Sequence, residues 1–428
     1  MTGAFQMSYR MIGALSLLAC LVIVRPCGAE ALLLEHLDEF HIEEGLTLAE
    51  VVNLTYERYP QSALVAAYEE ESRALEQRST SWIAGFPMIY LQYIDDSLIS
   101  DRGISEIQSG YQIPVWMWGQ REASQRVTEE ARFASQKYAT ALKLEIAGLV
   151  RDTLWKLRIV ENRREIAKQI FEVAQRLTQV VGRRVELGDL SRQDQLLAQG
   201  DELEKKTVYL EAEAEVMHAR KAYQNLTRMS RAPAQFDEIQ SKKPDLDEQH
   251  PSLAAADASV ERAQAEVEFT RRSKQGNQPS IMIGTDSTSV AAAGSRARDY
   301  GTGTNLVLQI PIGGDNWHAP AVAQANVALN ERIVQRETLR RQLEKALHEA
   351  RHNLEVDSAA LVVLEQRRTI AESQIAMSRI SFEAGEISLI DYLKIQTGAQ
   401  SAIRDARERA LMVKRDTATL NQVLGVAP

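Results

Sequence analysis

Gln112-Ile113-Pro114 returns 197 positions later as Gln309-Ile310-Pro311, and in both places an alternating, strand-like run gives way to a polar segment with helical spacing. The same offset holds far downstream. There VELGDLSRQDQL (185–196) aligns with FEAGEISLIDYL (382–393), so Gly188, Ser191 and Asp194 match Gly385, Ser388 and Asp391. Two distant motifs that keep one spacing require intervening segments of equal length, and duplication is the simplest cause. Upstream the match loosens: RYPQSALVAA (58–67) resembles QHPSLAAADA (249–258), and FPMIYLQY resembles QPSIMIGT, with offsets of 191 and 192. Whatever this chain forms, it is built twice.

Each copy reads as helix, strand, strand, long helix, turn, helix. The first helix spans about 46–83, with Thr47 as its cap. Strands are expected at 87–95 and 104–113, where Ile89, Leu91 and Tyr93 share one face and Ile107, Tyr111 and Ile113 alternate with Glu106, Gln108 and Gln112. The second copy places strands at 279–288 and 301–311. There Ile281 and Ile283 alternate with Met282 and Asp286, and Leu306, Leu308 and Ile310 with Asn305 and Gln309. An apolar and a polar face on strands of this length suit a membrane barrel, with lipid outside and water inside. From Gln120 to Leu187 no proline interrupts, and Ile166, Ile170, Val173, Leu177 and Val180 step by threes and fours. A helix of that length rises about 100 Å, far beyond a globular domain. Its counterpart covers 320–384.

The remaining segments fill in this plan. RAPAQFDEIQSKKPDLDEQHP (231–251) is charged, has three prolines and little periodicity, and reads as a connector, with a small extra subdomain as the alternative. The repeats are thus 30–230 and 251–428, joined by 231–250. Arg10, the apolar run Met11 to Val24 and RPCGAEA have the layout of a secretory signal over 1–29, with cleavage after Ala31 as a close second and lipidation at Cys20 as the rival reading. Processing there removes both Cys20 and Cys27. Only 8 Phe and 5 Trp are present, which favours long helices over aromatic-rich cores. A net charge of -9 with no basic stripe excludes a general nucleic-acid binder.

Four strands cannot close a barrel, and an open sheet edge cannot face lipid, so several chains must share one barrel. At this point the chain resembles the TolC family of outer-membrane efflux channels, over about 46–425. The resemblance implies a mainly α fold with a small β part. A homotrimer would join a twelve-stranded transmembrane barrel to a long α-helical coiled-coil tunnel in the periplasm of a Gram-negative bacterium. It implies outer-membrane lipid, a periplasmic adaptor protein and an inner-membrane pump of the RND type as partners, with passive transport of metal ions or drugs. The look of YQIPVWMWGQREA points within the family to its heavy-metal branch. Type I protein secretion uses the same kind of duct.

The resemblance also assigns residues. Pro114 and Pro311 fall where strands give way to tunnel helices, a swivel for which proline's fixed φ and missing amide are suited. Arg184, Gly188, Ser191, Gly385 and Ser388 belong to helix-turn-helix tips that meet the adaptor, the glycines supplying the tight reversal. Asp194 and Asp391 lie where family members narrow the tunnel with carboxylates. Lys394, one turn after Asp391, could pair with it and weaken that constriction.

One motif points elsewhere. HEARH (348–352) satisfies H-E-x-x-H, in which two histidines hold zinc and the glutamate activates water. It lies inside the second long helix, its 197-residue counterpart has Arg151 and Trp155, and neither a third ligand nor a cleft is evident. No catalytic residue, cofactor or metal site is therefore expected. A periplasmic coiled-coil scaffold without a pore would leave the four alternating strands without a purpose.

Overall fold

The computed structural model describes residues 39–99, 102–273, 278–291, 297–312 and 315–428. The expected signal segment, with Cys20 and Cys27, lies outside them. In chain order the elements are β1 (His41–Glu43), α1 (Leu48–Arg58), α2 (Ser62–Thr80), β2 (Met88–Asp95), β3 (Ile104–Pro114), α3 (Gln120–Glu186) and α4 (Arg192–Thr227), which complete the first repeat. After β4 (Arg231–Pro233) the second repeat follows as α5 (Pro251–Ser273), β5 (Ser280–Ala291), β6 (Arg298–Gln309), α6 (Ala319–Glu383) and α7 (Leu389–Val423).

Thr47 caps α1 as expected. Its hydroxyl accepts from Glu50 N at 3.2 Å while the Glu50 carboxylate accepts from Thr47 N at 2.9 Å, a reciprocal box that satisfies two orphan donors. The single helix expected over 46–83 is instead broken into α1 and α2. Pro60 forces the break: Tyr59 before it takes an extended conformation, φ −76° and ψ 131°, because the proline ring disfavours helical geometry in the preceding residue. The second repeat, with Pro251 at the first position of α5, has no such break.

The two long helices are the 67-residue α3 and the 65-residue α6, each rising about 100 Å. Helix α4 packs on α3, α3 on α7, and α7 on α6, while α2 and α5 flank the membrane-proximal half of α3. No described helix is long and apolar enough to cross a membrane. The largest core wraps the middle of α3: Trp155, Leu154, Ile146 and Val150 are buried against Val51 and Val52 of α1, Tyr223 of α4 and Phe236 of the connector. Trp155 and Phe236 meet edge to face at 4.9 Å, and the Tyr223 hydroxyl donates to Arg231 O at 2.9 Å. The segment read as a connector carries β4, which pairs in parallel with β1.

At the other end β2, β3, β5 and β6 form one antiparallel sheet in that order. The register sets Ile89 opposite Tyr111, Tyr111 opposite Ile283 and Ile283 opposite Leu306. Directly opposed residues share a face, so this row and the neighbouring row of Ile113, Ile281 and Leu308 make an apolar band at the helical end of the sheet, while the row through Leu91 continues with Ser109, Thr285 and Thr304; Ile89 and Leu91 are each 75% exposed. The reverse face carries Gln92, Glu106, Gln108, Gln112, Asp286 and Asn305. The strands of the second repeat sit nearer the sheet's far end than expected, at 280–291 and 298–309 instead of 279–288 and 301–311. Pro114 is thus the last residue of β3, but Pro311 falls two residues beyond β6.

Candidate functional site: the helical tip and the strand-to-helix junction

Both tips are built by the same local chemistry. Gly188 and Gly385 have φ of 85° and 78°, the left-handed region that a Cβ disfavours. Around them the hydrogen bonds repeat at matching positions: Asp189 N donates to Arg184 O at 2.8 Å as Glu386 N does to Ser381 O at 2.9 Å, and Gly188 N to Val185 O as Gly385 N to Phe382 O, both 3.1 Å. This pattern satisfies the last carbonyls of α3 and α6 and turns the chain back on itself. Ser191 and Ser388 then start α4 and α7. Each accepts at its hydroxyl oxygen from the amide of Asp194 or Asp391 at 3.2 Å.

The two aspartates assigned to a constriction thus have a local role at the helix starts. The Asp194 carboxylate accepts from Ser191 N at 3.0 Å and Ser191 Oγ at 2.6 Å; the Asp391 carboxylate accepts from Ser388 Oγ at 2.6 Å. Negative charge in a first helical turn is also favoured by the helix dipole. Lys394 is exposed and makes no ion pair with Asp391. The expected pairing is absent because the cap turns the carboxylate towards Ser388.

Arg184 reaches across to the other hairpin instead of projecting into solvent. It donates to Phe382 O at 3.2 Å and Glu383 O at 2.7 Å, and its guanidinium lies 5.5 Å from the Phe382 ring centroid. A cation here satisfies the orphan carbonyls at the end of α6. Beneath it Val181, Ala198, Phe382, Leu389 and Tyr392 form a small core between the hairpins, with Phe382 and Tyr392 stacked at 5.0 Å. Burial raises the Tyr392 hydroxyl pKa above its ordinary value. Higher up, Arg163 on α3 pairs with Glu408 on α7, and Arg409 on α7 pairs with Asp357 on α6. Any opening of the tips must part or slide these ties.

The strand-to-helix junction is fastened by residues whose role the sequence reading did not see. Gly119, φ 72°, is the N-cap of α3, and a Cβ there would meet the Arg272 guanidinium at 2.8 Å. Gln120, fully buried, accepts from Met117 N at 3.1 Å and donates to Ser273 Oγ at 3.2 Å. Arg121 donates to Ser79 O and Thr80 O at the end of α2. Pro114 O accepts from Ala84 N at 3.0 Å. Gln112 and Gln309, the first residues of the repeated motif, touch each other at 3.4 Å.

Between tip and junction a buried polar centre joins the repeats. Arg151 is 3% exposed and donates to both Glu238 carboxylate oxygens at 2.7 and 2.8 Å, to Val426 O at 3.0 Å and to Gln422. Asn421 donates to Glu238 and to Ile239 O, and accepts from Ser241 N at 2.8 Å. Nearby His250, 2% exposed, accepts at Nδ1 from Ser252 N at 3.2 Å. Burial holds its pKa below the ordinary 6.5, opposed by a backbone hydrogen bond with Val423 and assisted by Lys243. A histidine kept neutral in the fold contributes stability above pH 6.5 that is lost as pH falls through its depressed folded pKa. His250→Asn should therefore flatten the fall in urea midpoint just below pH 6.5 relative to the unsubstituted chain. An unchanged pH profile would contradict this.

His348 and His352 occupy the positions offset by 197 from Arg151 and Trp155, yet both lie exposed on α6, their rings stacked at 6.4 Å. Among the described residues no group of three or more His, Cys, Asp or Glu is placed to hold a metal ion.

Comparison with known proteins agrees with this geometry. Residues 244–426 match the family model described as outer membrane efflux protein, which covers the second repeat; the first repeat carries the same plan. The cobalt-zinc-cadmium resistance protein CzcC of Cupriavidus metallidurans is 27% identical over 332 residues, covering 73% of this chain and 75% of CzcC. The outer membrane channel CmeC of Campylobacter jejuni superimposes with a TM-score of 0.67 at 15% identity, over 88% of this chain and 85% of its own. CusC, whose structures concern folding and transmembrane channel formation, gives 0.66 at 12% identity, over 91% and 94%. Residues 244–426 therefore carry an outer membrane efflux protein domain, and the chain as a whole has the fold of the outer-membrane channels CmeC and CusC.

Proposed function

We propose that three copies of this chain form a passive exit duct for divalent transition-metal ions, which a periplasmic adaptor and an inner-membrane pump deliver to it. The observation that carries the duct is the four-stranded sheet. One face carries the apolar band of Ile89, Tyr111, Ile283 and Leu306, the other carries Glu106, Gln108, Gln112 and Asp286, and both edge strands, β2 and β6, pair on one side only. Unpaired edge groups in hydrocarbon cost several kcal/mol each, so the sheet is stable in a bilayer only when β6 of one copy meets β2 of the next. Three copies give twelve strands, continued by helices of about 100 Å. No chemistry is assigned to the chain: it supplies a sealed path, and the energy comes from the pump.

In this reading the Gly188 and Gly385 turns, with Ser191 and Ser388, present the surface on which the adaptor docks, and Asp194 and Asp391 repeat around the axis as a negative narrowing. Pro114 and Pro311 mark the change from barrel to tunnel, and the connector 231–250 joins the two repeats. The likeness to CzcC, a cobalt-zinc-cadmium resistance protein, supports the choice of metal ions over drugs. Deleting the gene tests this. Growth should become more sensitive to cobalt, zinc or cadmium and stay unchanged on a panel of drugs, with the wild-type gene restoring resistance. Sensitivity confined to drugs would contradict the substrate class.

A further inference from the structure

HEARH (348–352) has no part in a duct, yet the structure leaves its two histidines free to act. His348 and His352 stand one turn apart on α6, both exposed, with ring planes within 7° of parallel and centroids 6.4 Å apart. Among the described residues neither imidazole has a hydrogen-bond or ionic partner. Leu347, Ala350 and Leu354 turn one side of α6 towards Leu420 and Leu424 of α7, and at 3.6 residues per turn the two histidines fall on the opposite side. The first repeat closes that side of its long helix: Trp155 packs on Phe236 and Arg151 pairs with Glu238 of the connector. On α6 no described segment does so.

We propose that His348 and His352 together hold one divalent transition-metal ion, of the zinc and copper kind, as a two-imidazole chelate with water completing its shell. A catalytic zinc needs a third protein ligand and a cleft; an ion that is only held and exchanged needs neither. Imidazole nitrogens bind such ions at about 2.0–2.1 Å, so the two donor nitrogens must come within roughly 3.3 Å of each other. Parallel, exposed rings reach that by turning about their side-chain bonds, and the turn breaks no hydrogen bond. Once one ring holds the ion, the other meets it at a high effective concentration. Nitrogen donors also set the class of ion: imidazole suits zinc, copper and nickel, whereas magnesium and calcium take oxygen.

The surrounding charge favours a cation. His348 lines a cavity of about 400 Å³ between the connector, α5 and α6. The three arginines on its wall are each paired with a carboxylate, while Asp247 and Glu248 on the same wall have no ionic partner among the described residues. Lys345, one turn before His348, is paired with Glu349 at 3.6 Å. The local excess is therefore negative, which raises the concentration of cations beside the imidazoles. The chelate rests on this geometry and not on the cargo proposed above.

Calorimetric titration of zinc chloride into the untagged full-length protein, in mild detergent with excess magnesium present, tests the site. The unsubstituted chain should bind one zinc ion per chain here, and His348→Gln or His352→Gln should each weaken that binding by about tenfold to a hundredfold, the loss of a chelate's second arm. A spacing control keeps the number of histidines: His352→Gln with Asn353→His moves the second imidazole to another side of the helix and should bind no better than His352→Gln alone. The positions are exposed, so an unchanged circular dichroism spectrum separates a lost ligand from a lost fold. Zinc affinity that survives either single substitution, or that the displaced histidine restores, would overturn the chelate. Zinc binding at this pair in a protein whose deletion leaves metal tolerance unchanged would uphold the site and reject only the cargo; a metal-sensitive deletion strain with no binding at the pair would do the reverse.

Discussion

Arg151→Ala should lower the stability of the chain by about 3–5 kcal/mol, the cost of removing one partner from a buried ion pair. The loss is large because Glu238 is left in a site with little water, and because the same guanidinium holds Gln422 and the carbonyl of Val426. Three segments meet at that point: the middle of α3 from the first repeat, the connector, and the end of α7 from the second. Urea unfolding of the detergent-solubilised protein, followed by helical circular dichroism, reads the change. Replacing both partners, Arg151→Met with Glu238→Gln, should recover much of the loss, since no unpaired buried charge remains. A loss below about 1 kcal/mol for Arg151→Ala would mean that solvent reaches the pair.

Gly284→Val should nearly abolish detergent-resistant trimers and, with them, metal resistance. A Cβ at Gly284 would lie 2.2 Å from Ser109 O and 2.7 Å from the Tyr90 hydroxyl. Gly110 is directly opposite Gly284, and its own Cβ would meet Ile283 O at 2.5 Å. The two glycines form a floor across which Tyr90 reaches, its hydroxyl donating to Asn305 at 3.0 Å, three strands further on. Glycine weakens a strand unless something covers it, and an aromatic ring across the gap restores the contact. Tyr90→Phe keeps the ring and loses one hydrogen bond, so its trimers should persist with a modest drop in melting temperature. Normal assembly of Gly284→Val would show that the strands separate enough to admit a side chain, contrary to the register.

The tips were legible because their determinants are local. A glycine after a long apolar-periodic run, followed three residues later by Ser and six later by Asp, specifies a turn and a cap with no help from the rest of the chain. The long helices were legible for the same reason, and α3 ends within one residue of the expected position. Pro60 was equally visible, yet the reading carried a helix through it, although proline argues for a boundary at the residue before. Gly110 and Gly284 inside alternating strands were a usable signal of a close approach. Arg151 was beyond reach: its partners Glu238 and Gln422 lie 87 and 271 residues away, and only the folded connector brings them together. Asp391 and Lys394 show a further limit. Helical spacing put them within reach of one another, but the competing hydroxyl of Ser388 decides where the carboxylate turns.

The claim on which the rest depends is that one chain supplies a third of a closed wall. Native mass measurement of the processed protein, extracted in mild detergent, tests it most directly. Three chains per particle, with a β-sheet signal that survives in sodium dodecyl sulfate until the sample is heated, is the predicted result. A particle of one chain, or of two chains making an eight-stranded barrel, would contradict it.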